Sequence, residues 1–178
     1  MIDDTPPIRT MSTLHLCPLP AHSSPRSSPV PLFLWFALCF AAAGTAAFVS
    51  TGGWYAALQK PLWNPPAWIF APVWTLLYAL MAVAAWLVWR RGGWRFQRQA
   101  LGLFLFQWLL NALWTPVFFG LHLTGLAAAE ILLLWLALGA TVVAFWRVRP
   151  LAGLLLLPYL AWVSFAAALN VAIWRLNS

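Results

Sequence analysis

Residues 54–78 read WYAALQKPLWNPPAWIFAPVWTLLY, and they set the arrangement of the rest of the chain. The stretch holds four of the fourteen Trp and four of the fourteen Pro. Its Lys-Pro at 60–61 and Asn-Pro-Pro at 64–66 do not fit a helix interior, because proline lacks an amide hydrogen and disfavours helical geometry in the preceding residue. Pro66 suits the first turn of a helix, where that donor is not needed. We therefore predict a rigid aromatic loop that becomes a membrane helix near Ala67.

The composition excludes an ordinary soluble domain. The chain has 178 residues, of which 63% are hydrophobic and 7% are charged. A membrane helix needs about 20 apolar residues, and the chain contains five such runs. The pattern predicts an all-α membrane protein, a five-transmembrane-helix bundle with an aromatic, proline-rich loop between the first two helices. The five runs cover about 31–50, 67–89, 99–119, a fourth that follows the short connection at His122 and ends at about Trp146, and 151–174.

The first 30 residues differ from the rest of the chain. They contain six Pro and several Ser and show no apolar periodicity, which predicts a disordered N-terminal segment. Residues 31–178 then form one transmembrane domain. The two cysteines, Cys17 and Cys39, have no metal-ligand spacing and do not indicate a disulfide framework.

The net charge is +7, and the basic residues lie between the apolar runs. They form no patch suited to nucleic acid, so we expect the chain to associate with a lipid bilayer and not with nucleic acid. When the loops are assigned alternately to the two sides, Lys60 and Arg175 lie on one side and the other eight basic residues on the other. The positive-inside rule then predicts a cytoplasmic N-terminus and a C-terminus on the opposite side of the membrane. The eight are Arg9, Arg26, Arg90, Arg91, Arg95, Arg98, Arg147 and Arg149.

Polar side chains inside the apolar runs are informative, because hydrocarbon penalises polar groups that lack a partner. Gln107, Asn111 and Trp114 are spaced i, i+4 and i+7, so they share one helical face that we expect to point into the bundle. For Gln107 an interhelical hydrogen bond is slightly favoured over a ligand contact. Glu130 is the one acid in any run, and we interpret it as a packed, protonated carboxyl, or as one that reaches toward the interface, in preference to a functional group. His122, in a short connection, is interpreted as an interfacial residue in preference to a haem ligand.

Three blocks of the sequence carry a family resemblance: one from Trp54-Tyr55 to residue 78, one from Gln107 and Asn111 to residue 120, and one from residue 158 to Leu169-Asn170. In order and spacing they resemble the TspO/translocator protein family, also called tryptophan-rich sensory proteins or peripheral benzodiazepine receptors, from about residue 31 to residue 177. The segment 169–175 lacks the Tyr of the cholesterol motif proposed for vertebrate members, so we do not predict cholesterol as the native ligand. The matching residues include Lys60-Pro61, Trp63-Asn64-Pro65-Pro66, Trp114-Thr115-Pro116, Phe118-Phe119-Gly120 and Pro158-Tyr159-Leu160.

The resemblance implies a ligand pocket that Trp68, Asn111, Trp162 and Ala166 help to line. Trp162 lies one turn before Ala166, and a flat ring beside a small residue leaves room for a planar ligand. We favour Trp68 over Trp74, because Trp68 lies where loop and helix meet. The full set of predicted ligand-binding residues is Trp63, Pro66, Trp68, Phe70, Gln107, Asn111, Trp114, Trp162 and Ala166.

The leading functional hypothesis is a membrane receptor or carrier for a flat hydrophobic ligand. The resemblance implies a tetrapyrrole, protoporphyrin IX or haem, as the ligand in stress or tetrapyrrole-linked regulation or transport, with no required cofactor, and a homodimer as the assembly. The sequence shows no catalytic constellation and no metal cluster. One alternative is a light-dependent porphyrin-degrading enzyme, for which Trp68 and Trp162 are weak catalytic candidates by analogy. A ligand transporter and a sensor that acts through a partner are the others.

Overall fold

The structure is a computed structural model that describes residues 30–47 and 53–178. The predicted N-terminal segment and the end of the first apolar run, residues 48–50, therefore lie outside the described residues. A 3₁₀ turn, Ala67–Ile69, precedes the third helix, and a π-helical turn, Pro116–Gly120, follows the fourth. The α-helices are α1 (Val30–Ala47), α2 (Gly53–Ala57), α3 (Phe70–Trp89), α4 (Gly93–Thr115), α5 (Thr124–Val148) and α6 (Pro150–Leu176).

The long helices form the predicted membrane bundle. Ala67–Trp89, Gly93–Gly120, Thr124–Val148 and Pro150–Leu176 are each long and apolar enough to cross a membrane, and α1 is a shorter apolar helix. Helices suit hydrocarbon because every backbone polar group is satisfied within the segment. The predicted all-α, five-helix architecture is thus confirmed, with the small helix α2 as an addition inside the aromatic loop.

The turn between α3 and α4 is shorter than we predicted. Arg95 and Arg98, expected in a basic loop, already belong to α4, which begins at Gly93 and not near Gln99. The reason is the backbone at Gly92, whose φ of 116° is a conformation that glycine adopts readily and that reverses the chain at once. A Cβ at Gly92 would also lie 2.7 Å from a ring carbon of Phe96.

Along its length the bundle has a packed half and, at its other end, a half that contains a cavity, the cavity half. α3 packs against α1, α4 and α6, and α5 packs against α4 and α6. Toward the Arg-rich turns, fully buried side chains such as Met81, Leu101, Phe104, Phe145 and Leu156 form a continuous core. Toward the aromatic loop, α1, α3, α4 and α6 surround a cavity.

Candidate functional site

The cavity lies beneath the aromatic loop and has a volume of about 600 Å³. This is within the usual range for small-molecule sites, roughly 300–1,000 Å³. Side chains of α1, α3, α4 and α6, the π-helical turn and the loop surround it. Its lining residues are Phe40, Ala42, Ala43, Tyr55, Asn64, Pro65, Ala67, Phe70, Ala71, Trp74, Thr75, Tyr78, Asn111, Trp114, Thr115, Phe118, Phe119, Trp162, Ala166, Leu169, Asn170 and Ile173.

Aromatic rings make up much of the cavity wall. Phe70, Trp74 and Tyr78 recur at i, i+4 and i+8 on α3, so one face of that helix presents three rings to the cavity. The rings of Phe70 and Trp162 meet edge to face with centroids 5.7 Å apart, and those of Trp74 and Tyr78 lie 5.2 Å apart. These contacts favour a single arrangement of the wall, because edge-to-face and offset pairs are the preferred geometries of aromatic rings.

The polar groups of the lining are neutral, and several are already hydrogen-bonded. Asn111 Nδ2 donates to the Tyr78 hydroxyl at 3.2 Å, which joins α4 to α3. Trp114 Nε1 donates to Asn170 Oδ1 at 3.0 Å, and Asn170 Nδ2 donates to the backbone oxygen of Thr124 at 3.1 Å. These bonds hold the lining side chains in place across four helices, α3, α4, α5 and α6. Within residues 30–47 and 53–178, the lining contains no Asp, Glu, Lys, Arg or His.

The aromatic loop covers the cavity with a tyrosine and an asparagine. The Tyr55 hydroxyl donates to Asn64 Oδ1 at 3.3 Å, and the turn that carries Asn64 is closed by its own backbone N–H bonding to Pro61 O at 2.9 Å. Burial raises the pKa of the Tyr55 hydroxyl above its ordinary value, and the bond to Asn64 opposes part of that shift. Tyr55 therefore stays a neutral hydrogen-bond donor at physiological pH.

Besides ring contacts with Phe118, Phe119 and Phe165, two further contacts attach the loop to the rest of the bundle. Asn177, just after α6, accepts a hydrogen bond from Gln59 N at 3.0 Å and donates one to Gln59 O at 2.9 Å. The Trp54 ring stacks on His122 with centroids 4.0 Å apart. Asn177 follows α6 and His122 lies between the π-helical turn and α5, so these two contacts attach the loop at separate places.

Five of the nine predicted ligand-binding residues line the cavity. They are Phe70, Asn111, Trp114, Trp162 and Ala166. Of the two tryptophans considered for photochemistry, Trp162 is therefore at the cavity and Trp68 is not. The preference for Trp68 over Trp74 does not match the structure, in which Trp74 lines the cavity and Trp68 is 73% exposed.

Three further predicted residues lie away from the lining. Trp63 is half-exposed and contacts Phe165 edge to face, and Pro66 is exposed at the start of the 3₁₀ turn. Gln107 is fully buried one turn deeper than Asn111, where its amide has no hydrogen-bond partner within the described residues. The expected interhelical hydrogen bond of Gln107 is therefore not observed.

Several lining residues were absent from the predicted set. Asn170 follows Trp162 and Ala166 at the same helical spacing, so extension of that stripe by one turn would have found it. Tyr55 and Asn64 gave no such signal, because they lie in a loop whose path over the cavity cannot be derived from periodicity. His122, interpreted as interfacial, has a positive φ of 58° and stacks on Trp54, and it does not line the cavity.

Comparison with known proteins identifies the family. The sequence profile of the TspO/MBR family matches residues 33–175. Protein CrtK of Rhodobacter capsulatus is 43% identical over 148 residues, covering 81% of this chain and 91% of that protein. The translocator protein of Homo sapiens is 47% identical over 127 residues, covering 70% and 75%. The tryptophan-rich sensory protein of Cereibacter sphaeroides is 44% identical over 147 residues, covering 82% and 91%. With its apolar helices, the chain is an integral, multi-pass membrane protein and belongs to the TspO/MBR family.

Proposed function

We propose that the chain is a membrane receptor or carrier that binds a flat hydrophobic molecule in the cavity, with a tetrapyrrole such as protoporphyrin IX or haem as the first candidate. The observation that carries the proposal is the cavity of about 600 Å³ with Phe70, Trp74, Trp114 and Trp162 in its wall. Flat aromatic walls stack on planar ligands, and apolar burial supplies most of the affinity in such sites.

The neutral polar groups of the lining suit a ligand of this kind. The polar groups of Tyr78 and Asn111 are hydrogen-bonded to each other, as are those of Trp114 and Asn170, so most of the cavity surface that a ligand meets is apolar. The transfer of a large apolar ring system from water into such a site is favourable, because its apolar surface is removed from water. The relatives named translocator protein and tryptophan-rich sensory protein agree with a carrier or a sensor.

The test is a titration of the detergent-purified protein with protoporphyrin IX, followed by the shift of the porphyrin absorption band. Trp162→Ala removes a ring from the cavity wall and is expected to weaken binding about tenfold or more, the usual effect of losing a central aromatic contact. Trp68→Ala is the matched control, because it removes the same side chain from an exposed position outside the cavity. Its affinity is expected to stay close to that of the unaltered protein.

Equal binding by all three proteins would contradict the proposal, since porphyrin would then be partitioning into the micelle. Trp162→Phe separates the loss of a ring from damage to the fold, because it keeps an aromatic side chain against Phe70. It is expected to recover most of the affinity that Trp162→Ala loses.

A further inference from the structure

Among the described residues, none that lines the cavity carries a charge with which to neutralise an anion. Its polar side chains are Tyr, Asn, Thr and Trp, all neutral. A carboxylate that leaves water without a cationic partner costs several kcal/mol, about as much as the burial of a large ring gains. A ligand that joins a flat ring system to carboxylates can therefore bury its rings here only if its carboxylates reach a cation next to the cavity.

His122 stacks on Trp54 and does not line the cavity, and the described lysines and arginines leave one candidate. Six of them lie at the opposite end of the bundle, in or beside the two Arg-rich turns. On the side of the aromatic loop there are Lys60 and Arg175. Arg175 is exposed on α6, where it lines a shallow groove of the outer surface with Leu132 and Ala168. Lys60 is the basic residue that contacts a cavity-lining side chain.

The Lys60 ammonium lies against the covering tyrosine. Its Nζ is 4.7 Å from the centroid of the Tyr55 ring, and it donates to the backbone oxygens of Ala56 and Leu58 at 3.2 and 3.1 Å. An ammonium carries three N–H donors, so these two bonds leave one donor for a ligand. Glu130, the one acid among the described residues, makes no ion pair there, and Lys60 has no anionic partner within the same part of the chain.

We propose that Lys60 is the carboxylate-binding group of the site and makes it selective for planar ligands that carry carboxylates over neutral ligands of the same shape. The inference rests on the proposed function, and it adds a ligand class. The ring system occupies the aromatic cavity while a carboxylate at its edge accepts a hydrogen bond from the Lys60 ammonium beside Tyr55.

Lys60 also has a structural role that the test must separate. By bonding to Ala56 O and Leu58 O it satisfies carbonyls at the end of the short helix α2, as basic residues at helix C-termini often do. Loss of that role alone would disturb the loop and weaken every ligand equally. Loss of a carboxylate contact would weaken only the ligand that bears the charge.

The experiment is a chemical double-mutant cycle with protoporphyrin IX and its dimethyl ester, which differ in whether the carboxylates are ionised. Kd is measured for both ligands with the unaltered protein, Lys60→Gln and Arg175→Gln in the same non-ionic detergent. The ratio of ester Kd to acid Kd is then compared between proteins, so that the partition of each ligand into the micelle cancels. Arg175→Gln is the matched control, since it removes the other positive charge at this end.

Lys60→Gln is expected to lower the ester-to-acid ratio about tenfold, the size of one hydrogen bond to a charged group. Arg175→Gln is expected to leave the ratio unchanged, and added salt is expected to lower it only where Lys60 is present. An unchanged ratio in Lys60→Gln, an equal loss for both ligands, or the same change in Arg175→Gln would each overturn the inference.

The outcomes also separate this inference from the proposed function. If neither acid nor ester binds saturably to the unaltered protein, both proposals fall. If both bind saturably and both depend on Trp162, but the ratio does not respond to Lys60→Gln, only the role of Lys60 falls.

Discussion

Some polar side chains inside the bundle have a hydrogen-bond partner and others do not, within the residues that the structure describes. Asn111 and Asn170 are buried and hydrogen-bonded across helices, and both border the cavity. Both carboxyl oxygens of Glu130 on α5 are buried without a hydrogen-bond partner in the part of the chain that the structure describes. The interpretation of Glu130 as a packed, protonated carboxyl leads to a stability prediction, because such a group contributes no hydrogen bond and keeps its desolvation cost.

Glu130→Met is expected to raise the apparent thermal midpoint of the detergent-purified protein. Methionine keeps the length of the side chain and removes two oxygens whose burial costs about 1–3 kcal/mol when they lack partners. For a chain of this size the gain corresponds to roughly 2–12 °C. Leu132→Met, at an exposed position of the same helix, is the control and should leave the midpoint unchanged. A lower midpoint in Glu130→Met would show that the carboxyl has a stabilising partner and would contradict the interpretation.

At the scale of elements, the loop between α1 and α3 behaves as a cover held from outside its own sequence. In its described part, residues 53–69, the loop contains α2, the hydrogen-bonded turn at Asn64 and the 3₁₀ turn. Its position over the cavity depends on Asn177, which comes 118 residues after Gln59. The side-chain amide of Asn177 bonds to both the backbone N–H and the backbone C=O of Gln59, so one side chain holds both backbone groups of Gln59.

Asn177→Ala is expected to loosen this cover without unfolding the bundle. Gln59 loses both partners, so chymotrypsin should cut more rapidly after the aromatic residues of the loop, and bound protoporphyrin IX should dissociate several times faster in a displacement assay. Ser178→Ala is the control, since its hydroxyl only reaches the oxygen of Arg175 at 3.5 Å. Unchanged proteolysis together with unchanged dissociation would exclude Asn177 as an anchor of the loop.

At the scale of the whole molecule, charge and shape divide the bundle in the same direction. The packed half lies toward the turns that carry Arg90, Arg91, Arg147 and Arg149, and the cavity half lies toward the aromatic loop. Insertion by the positive-inside rule would therefore place the Arg-rich turns in the cytoplasm and the covered cavity near the opposite surface.

Cysteine labelling of intact cells tests this orientation. Cys17→Ser removes the thiol outside the described residues, and Cys39 is fully buried. In that background Leu62→Cys, at a fully exposed loop position, should react with a membrane-impermeant maleimide. Arg91→Cys should react only after the membrane is permeabilised. The reverse pattern would invert the predicted topology.

Composition and periodicity were enough to predict the class of the molecule. Five apolar runs, proline-rich loop chemistry at residues 60–66 and the bias of basic residues predict a helical membrane bundle, because hydrocarbon leaves few other folds available to such a chain. Helical spacing also placed Asn111 with Trp114 and Trp162 with Ala166, since residues three or four apart must share a face.

Which faces meet, and what covers them, depended on tertiary packing. Trp68 and Trp74 are the same residue type six positions apart, and the sequence does not show which of them faces the cavity. In the structure Trp68, in the 3₁₀ turn, is exposed, and Trp74, on α3, lines the cavity. The loop position relies on Asn177 and His122, which are far from it in sequence. Local patterns restrict the backbone within a helix, whereas a cavity is what remains between helices after their side chains have packed, and no single helix encodes it.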